Sequence, residues 1–169
     1  MDAEPRPYRD DRDRLAIEQL LARGRMAGGG AYYVHPGDLR WWIYYALPDD
    51  DLRPYLYLWE QDGQLIGWSL LSRRDECFDV FMAPEYHGAP QMERAYAWAI
   101  ERGEQVMRRD GSVRLHKYWN LAGDAPTTDL LARHGFQPSS ASASFRRDLH
   151  LPVSSPRLPD GFCIRPCRG

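Results

Sequence analysis

Apolar and polar positions repeat at two different periods along this chain, and the switches between them lay out its elements. Glu4 to Tyr8 suits a short opening strand. Asp11 or Asp13 then reads as a helix N-cap, with Leu15, Ile17, Leu20 and Leu21 as the apolar face. Gly24 and the Gly28-Gly29-Gly30 run predict its end. No Gly-Lys-Ser/Thr follows those glycines and no strand runs into them, so they read as a connector rather than a phosphate loop. Pro36 to Leu47 predicts a second helix. Pro36 fits its first turn, Leu39, Trp42, Ile43 and Leu47 fall at helical spacing, and Pro48 with the aspartates after it stops it.

Period-two stretches follow. Tyr55 to Glu60 is rich in strand formers, Asp62-Gly63 is a turn, and Gln64 to Ser72 is the return strand. Glu76 to Met82 predicts a further strand, which Pro84 and Gly88 terminate. Gln91 to Arg109 then carries the clearest helical stripe: Met92, Ala95, Tyr96, Ala99, Ile100, Val106 and Met107. Val113 to Trp119 predicts a strand. Thr127 or Thr128 to His134 predicts a short helix closed by Gly135, and Phe145 to Leu149 a last strand. From Leu151 to Asp160 proline and serine take over, as in a linker, and Phe162 to Arg165 reads as one isolated strand. The order β-α-α-β-β-β-α-β-α-β predicts an α/β protein with a mixed sheet.

Composition narrows the function classes. The chain's 169 residues suit one domain plus a tail, and 43% hydrophobic residues suffice for a core. A net charge of -2 provides no footprint for nucleic acid. No segment approaches the roughly 20 apolar residues of a membrane span, and the charged start Met1–Arg14 has no signal-like run, which predicts a cytoplasmic protein. Three cysteines make no disulfide framework. Cys163 and Cys167 lack partner ligands, and His35, His134 and His150 have no metal-like spacing, so no metal is expected. Six tryptophans belong to an aromatic-rich set, including Tyr32, Tyr33, Trp41, Trp42, Tyr44, Tyr45, Tyr55, Tyr57 and Trp59. These predict either a bulky core or an aromatic wall along a ligand groove.

Four local patterns, in this order and spacing, resemble the acyl-CoA N-acyltransferase (GNAT) superfamily over roughly residues 4 to 149. Leu58-Trp59-Glu60-Gln61-Asp62-Gly63-Gln64-Leu65-Ile66-Gly67 is similar to the hairpin before the family's cofactor strand. Phe81-Met82-Ala83-Pro84-Glu85-Tyr86-His87-Gly88 resembles the end of that strand and the start of its pyrophosphate loop, and the helix 91–109 follows. Asp124 through Leu130-Leu131-Ala132-Arg133-His134-Gly135-Phe136 resembles the last helix with its closing Gly-Phe. The resemblance implies a mixed, mostly antiparallel central sheet with helices on both faces, occupying residues 1–150. A linker would fill 151–160, and 161–169 would be a disordered tail or the start of a second such domain. Leu158-Pro159-Asp160-Gly161-Phe162-Cys163-Ile164-Arg165-Pro166 is similar to a first strand, as in tandem proteins like the mycothiol-synthase group.

The resemblance implies acetyl-CoA as cofactor and transfer of its acyl group to the amine of a small molecule or a peptide. The coenzyme-binding candidates would then be Phe81, Met82 and Ala83 on the strand, and His87, Gly88, Ala89, Gln91 and Met92 at the turn into the helix. A helix N-terminus holds a diphosphate through backbone N–H groups and its positive dipole end. The family's pattern there, Gln/Arg-x-x-Gly-x-Gly/Ala, falls on His87, Pro90 and Met92, and all three depart from it. Pro90 has no N–H to donate. The usual tyrosine acid falls on Leu131, which cannot donate a proton. His116 or Tyr118, on one face of the neighbouring strand, could stand in for it. Asp79, Glu76 or Glu60 could serve as a base. The first two sit beside Cys77, Val80 and Met82, which would either desolvate them or leave them at a solvent-facing sheet margin. The sequence therefore predicts an N-acetyltransferase with a degenerate loop, with two alternatives. One is a silent GNAT-fold half that packs against and supports an active partner domain; a second GNAT domain or a homodimer would be the protein partner. The other is a ligand- or peptide-binding module with an apolar groove lined by Trp41, Trp42 and Tyr45.

Overall fold

The computed structural model describes residues 4–28, 33–46, 51–142, 147–148, 150–152 and 157–166, with Tyr45 and Ala46 in backbone alone. It divides into two units, Met1–Gln137 and Pro138–Gly169. Among the described residues, all regular elements lie in the first. They are β1 (Pro5–Pro7), α1 (Asp11–Ala27), α2 (Pro36–Trp41), a π-helical turn (Trp42–Ala46), β2 (Leu56–Gln61), β3 (Gln64–Ser72), β4 (Cys77–Met82), a 3-10 turn (Pro84–Tyr86), α3 (Pro90–Arg109), β5 (His116–Lys117) and α4 (Ala125–Arg133). The strands form one sheet in the order β1-β2-β3-β4-β5, antiparallel except for the parallel pair β4–β5. The expected mixed, mostly antiparallel α/β sheet is present.

Local chemistry explains most of the boundaries. α1 begins one residue before the expected caps: Asp10 accepts from the Arg12 N–H at 2.8 Å. Asp13 is instead buried and takes a bidentate pair from Arg6 of β1 at 2.7 and 2.8 Å. Gly24 lies inside the helix, and Gly28 caps its end. Leu15, expected on the apolar face, is exposed, because Ile17, Leu20 and Leu21 alone fill the stripe that meets the sheet. α2 ends at Trp41, where the backbone widens into the π turn. Leu47 and Pro48 lie outside the described residues. Asp62 and Gly63 both have positive φ, 50° and 74°, as the two-residue hairpin turn between β2 and β3 requires.

Alternation gives the sheet two buried faces. On one, Phe81 of β4 stacks on Trp68 of β3 at 4.8 Å between ring centroids and meets Trp42 and Tyr33, from around α2, at 6.4 and 6.5 Å. On the other, Trp98 of α3 meets Tyr57 and Trp59 edge-on, and Phe78 meets Tyr96 of α3 and Phe136 just past α4. Helices thus cover both faces. Every residue of the predicted α3 stripe is buried.

The strand expected over Val113–Trp119 shrinks to His116–Lys117, since β5 leaves β4 after Phe78. Of the strand expected at 145–149, Phe145, Arg146 and Leu149 lie outside the described residues, and Arg147 and Asp148 are not in a strand. Residues 162–165 form none either; a lone apolar stretch without a partner strand cannot satisfy its backbone. Among the described residues, no helix is long and apolar enough to cross a membrane.

Candidate functional site

The parting of β4 from β5 creates the one feature that gathers the predicted strand, turn and helix. The parallel ladder runs through His116 N–H to Glu76 C=O at 2.7 Å and Tyr118 N–H to Phe78 C=O at 3.3 Å, then stops. The next amide, Trp119 N–H, turns away to the Asp79 carboxylate at 2.8 Å. Backbone polarity alternates along a strand, so Val80 and Met82 aim their N–H and C=O groups into the gap. The cleft there is lined by Tyr33, Val80–Met82, His87, Met92 and Tyr96 on one side and by Trp119–Leu121, Asp124 and Thr127 on the other.

Asp79 and Lys117 hold β4 to the chain beyond β5 where the two strands part. Both side chains are only 4% exposed, and the Lys117 ammonium lies 2.6 Å from the Asp79 carboxylate. It also donates to the Trp119 carbonyl and sits 5.7 Å above the Phe81 ring. Burial pulls the Lys117 pKa down, but the charge of Asp79 and the hydrogen bond between them outweigh it and hold it above the ordinary value. Asp79 is therefore neither solvent-facing nor idle; it ties β4 to the chain beyond β5. Lys117 escaped the sequence reading, which followed His116 and Tyr118. Those two point the other way and are exposed, Tyr118 to 66%, and neither lines the cleft. Glu76 precedes β4 with φ of 50° and accepts from the Ser112 hydroxyl at 2.6 Å. Glu60 pairs with Arg6, which holds its carboxyl below the usual range, the wrong direction for a base near neutrality. None of these acid and base candidates lines the cleft; Asp79 reaches its wall only through the Trp119 amide, and that oxygen is already taken by Lys117 as well.

At the mouth, the loop from β4 to α3 spends four of its amides, those of residues 86 to 89, within the chain. Residues 84–91 contain Pro84 and Pro90, which have no amide. Tyr86, His87 and Ala89 donate to the carbonyls of Ala83, Pro84 and Tyr86 at 2.9, 3.2 and 3.0 Å. Gly88, with φ of 76°, donates to the Met92 sulfur at 3.2 Å. In the first turn of α3, Met92 and Glu93 both donate to the Ala89 carbonyl. His87 lies 3.1 Å from the carboxylate of Asp124, the N-cap of α4, which also receives the Thr127 amide and hydroxyl at 3.1 and 2.7 Å. Leu131, at the expected acid position, is a buried core residue. Trp41 is 55% exposed and Trp42 packs on Phe81, so these two do not join into the expected aromatic groove; Tyr45's side chain lies outside the described atoms.

Solved structures show which fold this is. A scan against protein-family models finds no match, and a search of curated proteins likewise finds none. Among solved structures, the chain superposes on yncA of Salmonella typhimurium, solved with its cofactor acetyl-CoA, with a TM-score of 0.59 at 16% identity, covering 87% of this chain and 88% of that one. The fold is that of the GCN5-related N-acetyltransferases. The PaiA N-acetyltransferase of Thermoplasma acidophilum, in complex with coenzyme A, gives 0.55 at 15% identity over 85% and 95% of the two chains. A GCN5-related N-acetyltransferase of Sphaerobacter thermophilus gives 0.57 at 20% identity over 80% of this chain, but this chain spans only 43% of that one.

The GNAT fold implies coenzyme A, so the cleft must be tested against it. The cleft's volume is about 40 Å³, room for a few waters, where ordinary ligand pockets offer roughly 300–1,000 Å³. The neighbouring depression between α3 and α4, about 170 Å³, carries Glu93 and Asp129, and its Arg133 is 3.0 Å from Glu93. A diphosphate there meets like charge. As folded, these residues do not fit the coenzyme.

Proposed function

We propose that this chain is a domain of an acetyl-CoA-dependent N-acetyltransferase in which it serves as the supporting half, the transfer to a small-molecule or peptide amine being carried out by a partner domain of different sequence. The observation that carries the reading is the turn before α3, whose amides at 86, 87, 88 and 89 all donate within the chain while Pro90 has none to offer. Each hydrogen bond to a charged group is worth about 1.5–3 kcal/mol, so even two missing donors weaken diphosphate binding by roughly 10²- to 10⁴-fold. Leu131 adds to this, because no proton donor stands where a leaving thiolate would need one. The acetyltransferases solved with acetyl-CoA or coenzyme A support the lineage. The Sphaerobacter protein, more than twice as long as the part matched here, supports a role beside further chain.

Calorimetric titration of the purified chain with acetyl-CoA tests this. Expected is no measurable heat at millimolar ligand and no acetyl transfer to a panel of amines. Micromolar binding with turnover would make the domain an acetyltransferase in its own right.

A further inference from the structure

We infer that the cleft is autoinhibited: Tyr33 and Met92 hold it shut by taking, from within the chain, a strand carbonyl and a turn amide that an extended amide-bearing ligand with a diphosphate end would need. This rests on the coenzyme A lineage argued above and names what closes the site. The Tyr33 hydroxyl donates to the Met82 carbonyl at 2.7 Å, on the edge of β4 that faces the gap. Met92 reaches back from the first turn of α3, and its sulfur receives the Gly88 N–H, so its side chain fills the space under the turn where an anion would approach.

Tyr33 has a seat made for it. A Cβ on Gly24 would lie 2.6 Å from the Tyr33 ring, so only glycine lets the ring lie flat against α1. Arg25, the next residue of that helix, donates to the Tyr33 carbonyl at 2.6 Å. Burial pushes the Tyr33 phenol up to about 12, which keeps it a donor across the physiological range. The His87–Asp124 contact joins the loop to the start of α4 across the mouth. The closure is thus built from α1, α3 and α4 together.

The test compares the wild-type chain with Tyr33→Phe/Met92→Ala by calorimetric titration with coenzyme A. The double variant, checked for a cooperative melt, is expected to bind at least tenfold more tightly than wild type and to give measurable heat in the sub-millimolar range. A folded double variant that still gives no heat overturns the autoinhibition and leaves the supporting-half reading standing. Micromolar binding by the wild type overturns both. A second measurement does not depend on the larger truncation. Met92→Leu keeps the volume and removes only the sulfur acceptor. The Gly88 amide is expected to exchange with deuterium at least tenfold faster, with Ala89 unchanged. An unchanged Gly88 rate overturns the role given to Met92.

Discussion

At the scale of single residues, the buried pair Asp79–Lys117 is the feature whose energetics are most exposed to experiment. Two charges removed from water gain little over well-packed apolar groups, but either one left alone is expensive. Lys117→Met strands a buried carboxylate that keeps the Trp119 amide as its polar contact. It is expected to cost about 3–5 kcal/mol, read from urea unfolding. Lys117→Met/Asp79→Leu replaces the pair by apolar volume and is expected to recover most of that loss. If the double variant is no more stable than the single one, the pair does more than cancel charge. The sequence shows why this pair was hard to read. Asp79's desolvation was legible from Cys77, Val80 and Met82 around it, but its partner lies 38 residues away. Alternation places Lys117 opposite His116 and Tyr118, on a face that a two-residue edge strand would ordinarily turn to solvent.

At the scale of elements, what was legible followed from local rules. The Asp62-Gly63 hairpin, the α3 stripe and the Gly135 stop each depend on residues within a turn or two of one another, so period and turn chemistry sufficed. The Pro90 and Leu131 departures were visible too, because they are matters of which atoms a residue possesses. What the sequence hid is closure through distant contacts. Tyr33 reads as either core bulk or part of an aromatic wall, and neither reading foretells that its hydroxyl reaches Met82 across 49 positions. Gly24 read as a helix stop, yet it is the hollow that receives the Tyr33 ring. Gly24→Ala separates the two meanings. Helix propensity alone would make it stabilising by about 1 kcal/mol. The clash with Tyr33 is expected to reverse the sign to a loss of roughly 1–3 kcal/mol, the usual range for overpacking. A raised melting temperature in this variant would mean that the ring moves aside at no cost.

At the scale of the whole molecule, the perturbed groups sort to opposite ends of the pH range, and together they predict the shape of the stability curve. On the acid side, Arg6 joins β1 to α1 through Asp13 and to β2 through Glu60. Arg6 holds Glu60 below its ordinary 4.5, and for Asp13 its hydrogen bonds outweigh the opposing effect of burial to hold the carboxyl below 3.8. In the unfolded chain these carboxylates bind protons first, so their contribution is complete above about pH 5 and is lost as pH falls through the lower folded values. On the alkaline side, burial raises Cys77 from 9 and Tyr8 and Tyr33 from 10, each to about 12, and Lys117 stands above its ordinary 10.5. Here the unfolded chain releases protons first, so stability is complete below about pH 9 and declines toward pH 12. Urea midpoints are therefore expected to form a plateau between about pH 5 and pH 9 with two separable flanks. Arg6→Met should lower the plateau and flatten the acid flank alone, since it returns Glu60 and Asp13 toward ordinary values. Tyr33→Phe should flatten the alkaline flank alone, since it removes one of the phenols that buried chain keeps protonated. An acid flank that stays steep in Arg6→Met would place the titrating groups elsewhere, and would remove the three-element junction of β1, α1 and β2 as a main source of the fold's pH dependence.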